Sequence, residues 1–154
     1  MRKILIYVAL LLATTIMASD TTKAQIQKID WAKDYSAGIK EAKKFDKPML
    51  FIMSNKNCPP CRKLARDTLG DSRVIAALNK DFTSVIAYVS FTDASASDFV
   101  PRELNTGVTP TLWFLIPNHD IIYSPIKGPP TADMMLDMLK QVNAEADKLR
   151  KGKK

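Results

Sequence analysis

Lys47-Pro48-Met49-Leu50-Phe51-Ile52-Met53-Ser54-Asn55-Lys56-Asn57-Cys58-Pro59-Pro60-Cys61-Arg62-Lys63-Leu64-Ala65-Arg66 is the stretch that decides the fold. Met49 to Met53 is a continuous apolar run of strand length, consistent with a strand buried on both faces. Asn55-Lys56-Asn57 is loop, and the residues after Cys61 are amphipathic. The order predicts a strand, a short loop, then two cysteines opening a helix. Cys58 and Cys61 are the only cysteines among 154 residues. Two thiols spaced C-x-x-C at a helix start can close a small disulfide ring and open it again, so thiol–disulfide redox chemistry is the leading reading. A bridge this short closes almost no loop and adds little stability, which argues against a purely structural role.

Working outward, Trp31, Tyr35, Ile39, Ala42 and Phe45 recur at spacings of four and three. They predict an amphipathic helix with Asp30 as N-cap and Lys47-Pro48 as its stop. The helix begun at Cys58 is expected to reach Thr68 or Leu69, with Gly70 as a break. Asp71 or Ser72 then caps a short helix carrying Val74, Ile75, Ala77 and Leu78. Thr83 to Phe91 is β-branched and aromatic and predicts a strand. Residues 92–97 predict a loop, residues 98–105 a short helix, and Thr111 to Ile116 another buried strand. Pro117 to Asp120 predicts a turn, with Ile121-Ile122-Tyr123 returning as an antiparallel partner. Gly128-Pro129-Pro130 breaks the chain, and Thr131 caps a last helix burying some subset of Met134, Met135, Leu136, Met138, Leu139 and Val142. Strands separated by helices imply a central mixed sheet covered on both faces.

This order, with Cys58-Pro59-Pro60-Cys61 at a strand-to-helix junction, resembles the thioredoxin-like family. A second match is Val108-Thr109-Pro110-Thr111, just before the third strand, and a third is Gly128 before the last helix. The similarity covers roughly residues 30–145 of the chain. It implies an α/β thioredoxin-like fold, a central mixed β-sheet flanked by helices, with a cis Pro110 facing the cysteines and the Thr109 backbone pairing with a substrate strand. Lys47-Pro48-Met49-Leu50, the residues around the cysteines and Asp71 to Asn79 look like the exported (periplasmic) thiol:disulfide oxidoreductases. They resemble in particular the C-terminal domain of the membrane-embedded reductase of the Dsb system.

At the helix start, free N–H groups and the positive end of the helix dipole favour a Cys58 thiolate, and Lys56, Arg62 and Lys63 act in the same direction. Cys58 is the expected nucleophile and Cys61 the resolving thiol. Pro59 and Pro60 lack N–H groups, which removes two donors from the thiolate and argues against a strong oxidant. Their rigidity lowers the entropy lost on closing the ring, which favours the disulfide form. Both effects point toward a reductant. The same prolines also start a helix well. Two departures from cytosolic thioredoxins stand out: Asn57 replaces the tryptophan before the first cysteine, and Ile52 replaces the buried acid six residues earlier, leaving Cys61 without an obvious base.

The N-terminus begins Met1-Arg2-Lys3, runs apolar from Ile4 and reaches small residues at Ala18 and Ser19. That pattern predicts a signal peptide over residues 1–24, cut after Ala18, Ser19 or Ala24. Its apolar stretch of about 14 residues is short of the roughly 20 a spanning helix needs, with a retained anchor as the alternative. Residues 25–147 would form the domain and residues 148–154 a basic tail. The formal charge of +7 comes largely from the two ends, leaving the body close to neutral. The tail reads as a solvated end, or as a contact for acidic partners or anionic lipid heads. No basic stripe runs through the body, which argues against nucleic acid. His119, the single histidine, reads as a solvated turn residue, and Met134, Met135 and Met138 as core.

The expected protein is a monomeric, exported disulfide oxidoreductase working in the reducing direction. Its substrates would be oxidised exported proteins, and a membrane or periplasmic thiol reductase its electron donor. It is expected to need no cofactor and no metal. The alternatives are a disulfide oxidase or isomerase, a Cu(I) carrier using the two thiolates, and a binding module that has lost redox function.

Overall fold

Strand β1 (Met49–Ser54) is buried at every residue, and the rest of the domain is arranged around it. The computed structural model describes residues 28–116 and 124–152. Alternation along β1 divides the core. Leu50 and Ile52 join the cluster formed by Leu64, Leu69, Val74, Leu78, Phe114, Met135, Leu139 and Val142. Met49, Phe51 and Met53 join Ala42, Val85, Leu104, Trp113 and Leu115 on the other face. A strand with both faces covered needs an unbroken apolar run, and the sequence supplies one.

The described elements are α1 (Tyr35–Phe45), β1, α2 (Pro59–Lys63), a π-helical turn (Leu64–Thr68), α3 (Ser72–Asp81), β2 (Thr83–Tyr88), β3 (Thr111–Leu115), β4 (Ile126–Lys127) and α4 (Ala132–Gly152). Two 3-10 turns lie between β2 and β3. The sheet order is β2-β1-β3-β4. β1 runs parallel to β2, with Met49 opposite Thr83 and Ser54 opposite Tyr88. It runs antiparallel to β3, which pairs antiparallel with β4. This is the predicted mixed sheet with helices on both faces.

Several boundaries differ from the sequence reading. The first helix starts at Tyr35, because the Asp34 carboxylate accepts the Ala37 N–H at 2.8 Å and caps it. The residues before it are tied elsewhere: Ala32 N–H donates to the Ser84 carbonyl and Asp30 N–H to the Asn79 side chain. The second strand ends at Tyr88 rather than Phe91. There Asp98 accepts the Tyr88 N–H and donates its own N–H to the Tyr88 carbonyl, closing a loop instead of extending the ladder. The predicted helix over residues 98–105 shrinks to a 3-10 turn at Arg102–Leu104 immediately after Pro101. Asp71, not Ser72, caps α3. The third strand stops at Leu115, one residue before its predicted end.

Residues 117–120 and Ile121-Ile122-Tyr123, predicted as turn and returning strand, lie outside the described residues, as does His119. On the side of β3 away from β1, the described antiparallel partner is Ile126–Lys127. The Thr131 hydroxyl accepts the Met134 N–H at 3.2 Å at the start of α4. That helix buries Met135, Leu139, Val142 and Ala146. Met134 is 57% exposed, so the three methionines do not all serve the core. Helix α4 continues through Lys148 to Gly152, where the sequence suggested a solvated tail.

Gly38 marks the closest approach of α1 to the sheet. A Cβ there would stand 2.3 Å from Val85 Cγ2 and 3.0 Å from Met49 Sδ. Tyr35 packs edge-on against Phe51 beside it.

Candidate active site

The loop leaving β1 is fixed by Asn55. Its carboxamide oxygen accepts the Asn57 N–H at 2.7 Å, its amide nitrogen donates to the Val89 carbonyl at 2.8 Å, and its own carbonyl accepts the Cys58 N–H at 3.3 Å. Cys58 therefore enters the helix in an extended conformation (φ −88°, ψ 117°) as its N-cap. A cap residue turns its side chain back over the first free N–H groups. Pro59 and Pro60 have none to offer, and the Cys61 N–H is the donor that reaches Cys58 Sγ, at 3.2 Å. The next N–H, of Arg62, goes to the Cys58 carbonyl instead.

Both cysteines are free thiols, Cys58 half-buried and Cys61 buried. From the other side, the chain before β3 closes on the pair. The Cys58 thiol donates to the Thr109 carbonyl at 3.4 Å. The Thr109–Pro110 peptide bond is cis. Thr111 anchors this segment through its hydroxyl, which donates to the Val108 carbonyl at 2.7 Å. Gly128 donates its N–H to the Pro110 carbonyl at 2.9 Å, at a φ of 91° that favours glycine. The structure thus brings Cys58, Cys61, Pro59, Pro60, Thr109 and Pro110 together from two separate parts of the chain.

The two thiols are tuned in opposite directions. Partial burial works against the Cys58 thiolate. It is outweighed by hydrogen bonds from the Cys61 and Thr109 side chains and the Cys61 N–H, with the Arg62 charge adding to them, and the Cys58 pKa falls below that of an ordinary thiol. Burial raises the Cys61 pKa, and the Cys58 sulfur raises it further, against opposing hydrogen bonds from the Asn55 backbone and the Thr109 and Ser54 side chains. Of the three cations expected near Cys58, Arg62 acts on it. Lys63 pairs with Asp67 at 2.8 Å, and Lys56 stands 5.4 Å over the Tyr88 ring.

Two residues at this site were not singled out from the sequence. Ser54 ends β1, and Tyr88 is its partner in the β1–β2 register. The Ser54 side chain acts on Cys61, opposing the rise of its pKa. Burial first, then the charges of Asp98 and Cys61, raise the Tyr88 phenol above its usual pKa and keep it a neutral O–H. The signal available was the register: residues ending neighbouring parallel strands share a face. Ile52, the position of the missing acid, is fully buried in the apolar core. Among the described residues no group of three or more His, Cys, Asp or Glu side chains is placed to hold a metal ion.

Fold and site together define a thioredoxin-like protein with a C-x-x-C pair at a helix start. The chain belongs to the thioredoxin-like domain family, whose model matches residues 35–143. No curated protein matches the sequence. Among solved structures it is similar to the DsbH oxidoreductase, at 14% identity and a TM-score of 0.58, covering 75% of this chain and 85% of that one. It is similar to a thioredoxin from Thermus thermophilus, at 21% identity and a TM-score of 0.59, covering 75% and 87%. The C-terminal domain of DsbD from Neisseria meningitidis in its reduced form aligns at 19% identity and a TM-score of 0.52, covering 69% and 91%. At these identities the likeness establishes the fold.

Proposed function

We propose that this protein is an exported thiol:disulfide oxidoreductase that reduces disulfides in other exported proteins. Family membership and the paired thiols support disulfide exchange in general. The direction rests on one observation: Cys58 Sγ is held by a single backbone donor, the Cys61 N–H, because both intervening residues are proline. A thiolate with few donors is less stabilised, and a less stabilised reduced form makes a better reductant.

In this reading the Cys58 thiolate attacks one sulfur of a substrate disulfide. The S–S bond breaks, one substrate thiol leaves, and a mixed disulfide forms on Cys58. Cys61 then loses its proton and attacks Cys58 Sγ, releasing the second substrate thiol and leaving a Cys58–Cys61 disulfide. Two electrons and two protons pass to the substrate, and a partner thiol reductase restores the pair. The Thr109 carbonyl beside Cys58 supports a role for Thr109 and Pro110 in seating the substrate strand. Export is inferred from the basic start, the short apolar run and the small residues at 18 and 19. Among the described residues no helix is long and apolar enough to cross a membrane.

Equilibrating the Cys58–Cys61 pair against glutathione, with the products separated by thiol alkylation, tests this reading. A potential of roughly −220 to −270 mV is expected; one near −120 mV would make the protein an oxidant and reverse the assignment.

A further inference from the structure

Helices α1, α3 and α4 all finish at the end of the sheet opposite the thiols, and all three finish on cations. The last turns carry Lys43 and Lys44, Lys80, and Arg150 and Lys151 respectively. The three ends are close enough to frame one open cleft of about 450 Å³, lined by Phe45, Asp46, Lys47, Lys80, Asn143 and Arg150 among others. The chain also enters the described domain here: the Asn79 side chain donates to the Lys28 carbonyl at 2.8 Å, and the Lys47 ammonium donates to the Asn79 carbonyl.

Cations outnumber carboxylates at this end. Lys28, Lys44, Lys80 and Lys151 are exposed, and Lys47 and Arg150 are half-buried. Arg150 is shared between Asp46 and Asp147, and Lys148 pairs with Glu145. Asp81 in the cleft and the exposed Asp30 beside Asn79 are further carboxylates of this end. The surplus is therefore cationic, and the same helix ends carry two exposed apolar side chains, Phe45 at 57% and Leu149 at 41%. Cations flanking a bulky aromatic and an aliphatic side chain suit a surface that is anionic at its face and hydrocarbon beneath. A nucleic-acid strand would want a stripe of cations with stacking rings, and a single phenylalanine does not make one.

We propose that this end of the domain docks on an anionic lipid bilayer. Phe45 and Leu149 enter the headgroup layer while Lys44, Lys80 and Lys151 contact lipid phosphates. The thiols are then presented away from it, at the far end of β1, about 20 Å along the strand direction. The inference does not depend on the redox reading and holds equally for a protein with both cysteines replaced by serine.

Sedimentation of the full chain with phosphatidylcholine vesicles, with and without phosphatidylglycerol, tests it. Every chain compared carries the same residues 1–27, so only the substituted positions differ between them. Preference for the anionic vesicles is expected, fading as salt is raised. The triple variant Lys44→Glu/Lys80→Glu/Lys151→Glu, checked for unchanged thermal unfolding, should bind anionic vesicles about a hundredfold less well. A control, Lys56→Glu/Lys63→Glu at the thiol end, should keep the preference. Equal binding to both vesicle types, an unaffected triple variant, or a control that loses as much as the triple would each overturn the proposal. Loss of self-association in the triple variant, with vesicle binding unchanged, would assign the face to a second copy of the chain instead.

Discussion

The two ends of strand β1 are built on different principles. At its C-terminal end, beyond Ser54, the backbone is irregular. An asparagine-braced loop, two consecutive prolines and a cis peptide bond hold two sulfur atoms within hydrogen-bonding reach of a few chosen groups. At its N-terminal end three regular helices terminate, and the chemistry is plain charge on flexible lysine stems. One end depends on sub-ångström placement and the other on the sum of many weak attractions. The lesson is that removing a single atom should be decisive at the first and hardly detectable at the second.

Cys58→Ser is the sharpest break. Disulfide exchange should fall to background with thermal unfolding of the reduced protein nearly unchanged, as followed by insulin reduction and circular dichroism. Cys61→Ser should instead accumulate mixed disulfides on Cys58, visible on non-reducing gels. Should the Cys58 variant retain exchange, the assignment of the nucleophile would fall.

Gly38→Ala comes next and acts on the scaffold alone. The added methyl meets Val85 and Met49, so about 1–3 kcal/mol of stability should be lost, although alanine is ordinarily the better helix former. Denaturant unfolding measures the loss, and the potential of the thiol pair should not move with it. Asp71→Ala removes the cap of α3 and should cost about 1 kcal/mol. The Asp71 carboxyl is held down at about 2, chiefly by the Arg73 guanidinium. Its folded-state pKa is depressed, so its contribution is present above the usual carboxylate range and is lost as pH falls toward about 2. Acid unfolding of wild type and variant should converge there.

A smaller effect is expected on pH-dependent reactivity. The Cys58 pKa is lowered, so its alkylation by iodoacetamide should persist below the pH at which an ordinary thiol slows, and fall only as pH drops through the lowered value. Arg62→Ala should move that midpoint up modestly. If the midpoint stays put, the Arg62 charge has no part in the tuning. Least of all, Ser84→Ala should be close to neutral, because the buried Ser84 hydroxyl finds no partner among the described residues.

Much of this was legible in the sequence, for reasons that separate along the same line. The central strand was readable because burial on both faces demands an unbroken apolar run, and Met49 to Met53 is one. The thiol pair was readable because two cysteines three residues apart have few other uses. Thr109 and Pro110 came from family resemblance, since nothing local in Val108-Thr109-Pro110 says what it will face across 51 residues. What failed to show was competition between equivalent groups. Asp30 was the expected cap, but its backbone is tied to Asn79 and the helix begins after Asp34, whose carboxylate accepts the Ala37 N–H. Ser54 and Tyr88 escaped because their meeting is a property of strand register. The cationic end escaped because its lysines lie in three helices that the sequence spaces far apart.

The π-helical turn at Leu64–Thr68 has a consequence for the orientation of the thiols. There the Leu69 N–H reaches back five residues to the Leu64 carbonyl, and the Thr68 hydroxyl is released to bond the Pro130 carbonyl ahead of α4. A π turn holds one residue more than an α turn, and each residue of an α-helix advances it by about 100°. The turn therefore absorbs one residue while the helix that carries Cys61 and the chain beyond Leu69 keep nearly the same phase. Deleting one residue between Leu64 and Thr68 would leave a plain α turn with the thiol pair still aimed at Thr109, and would cost the helix its Thr68 anchor to Pro130.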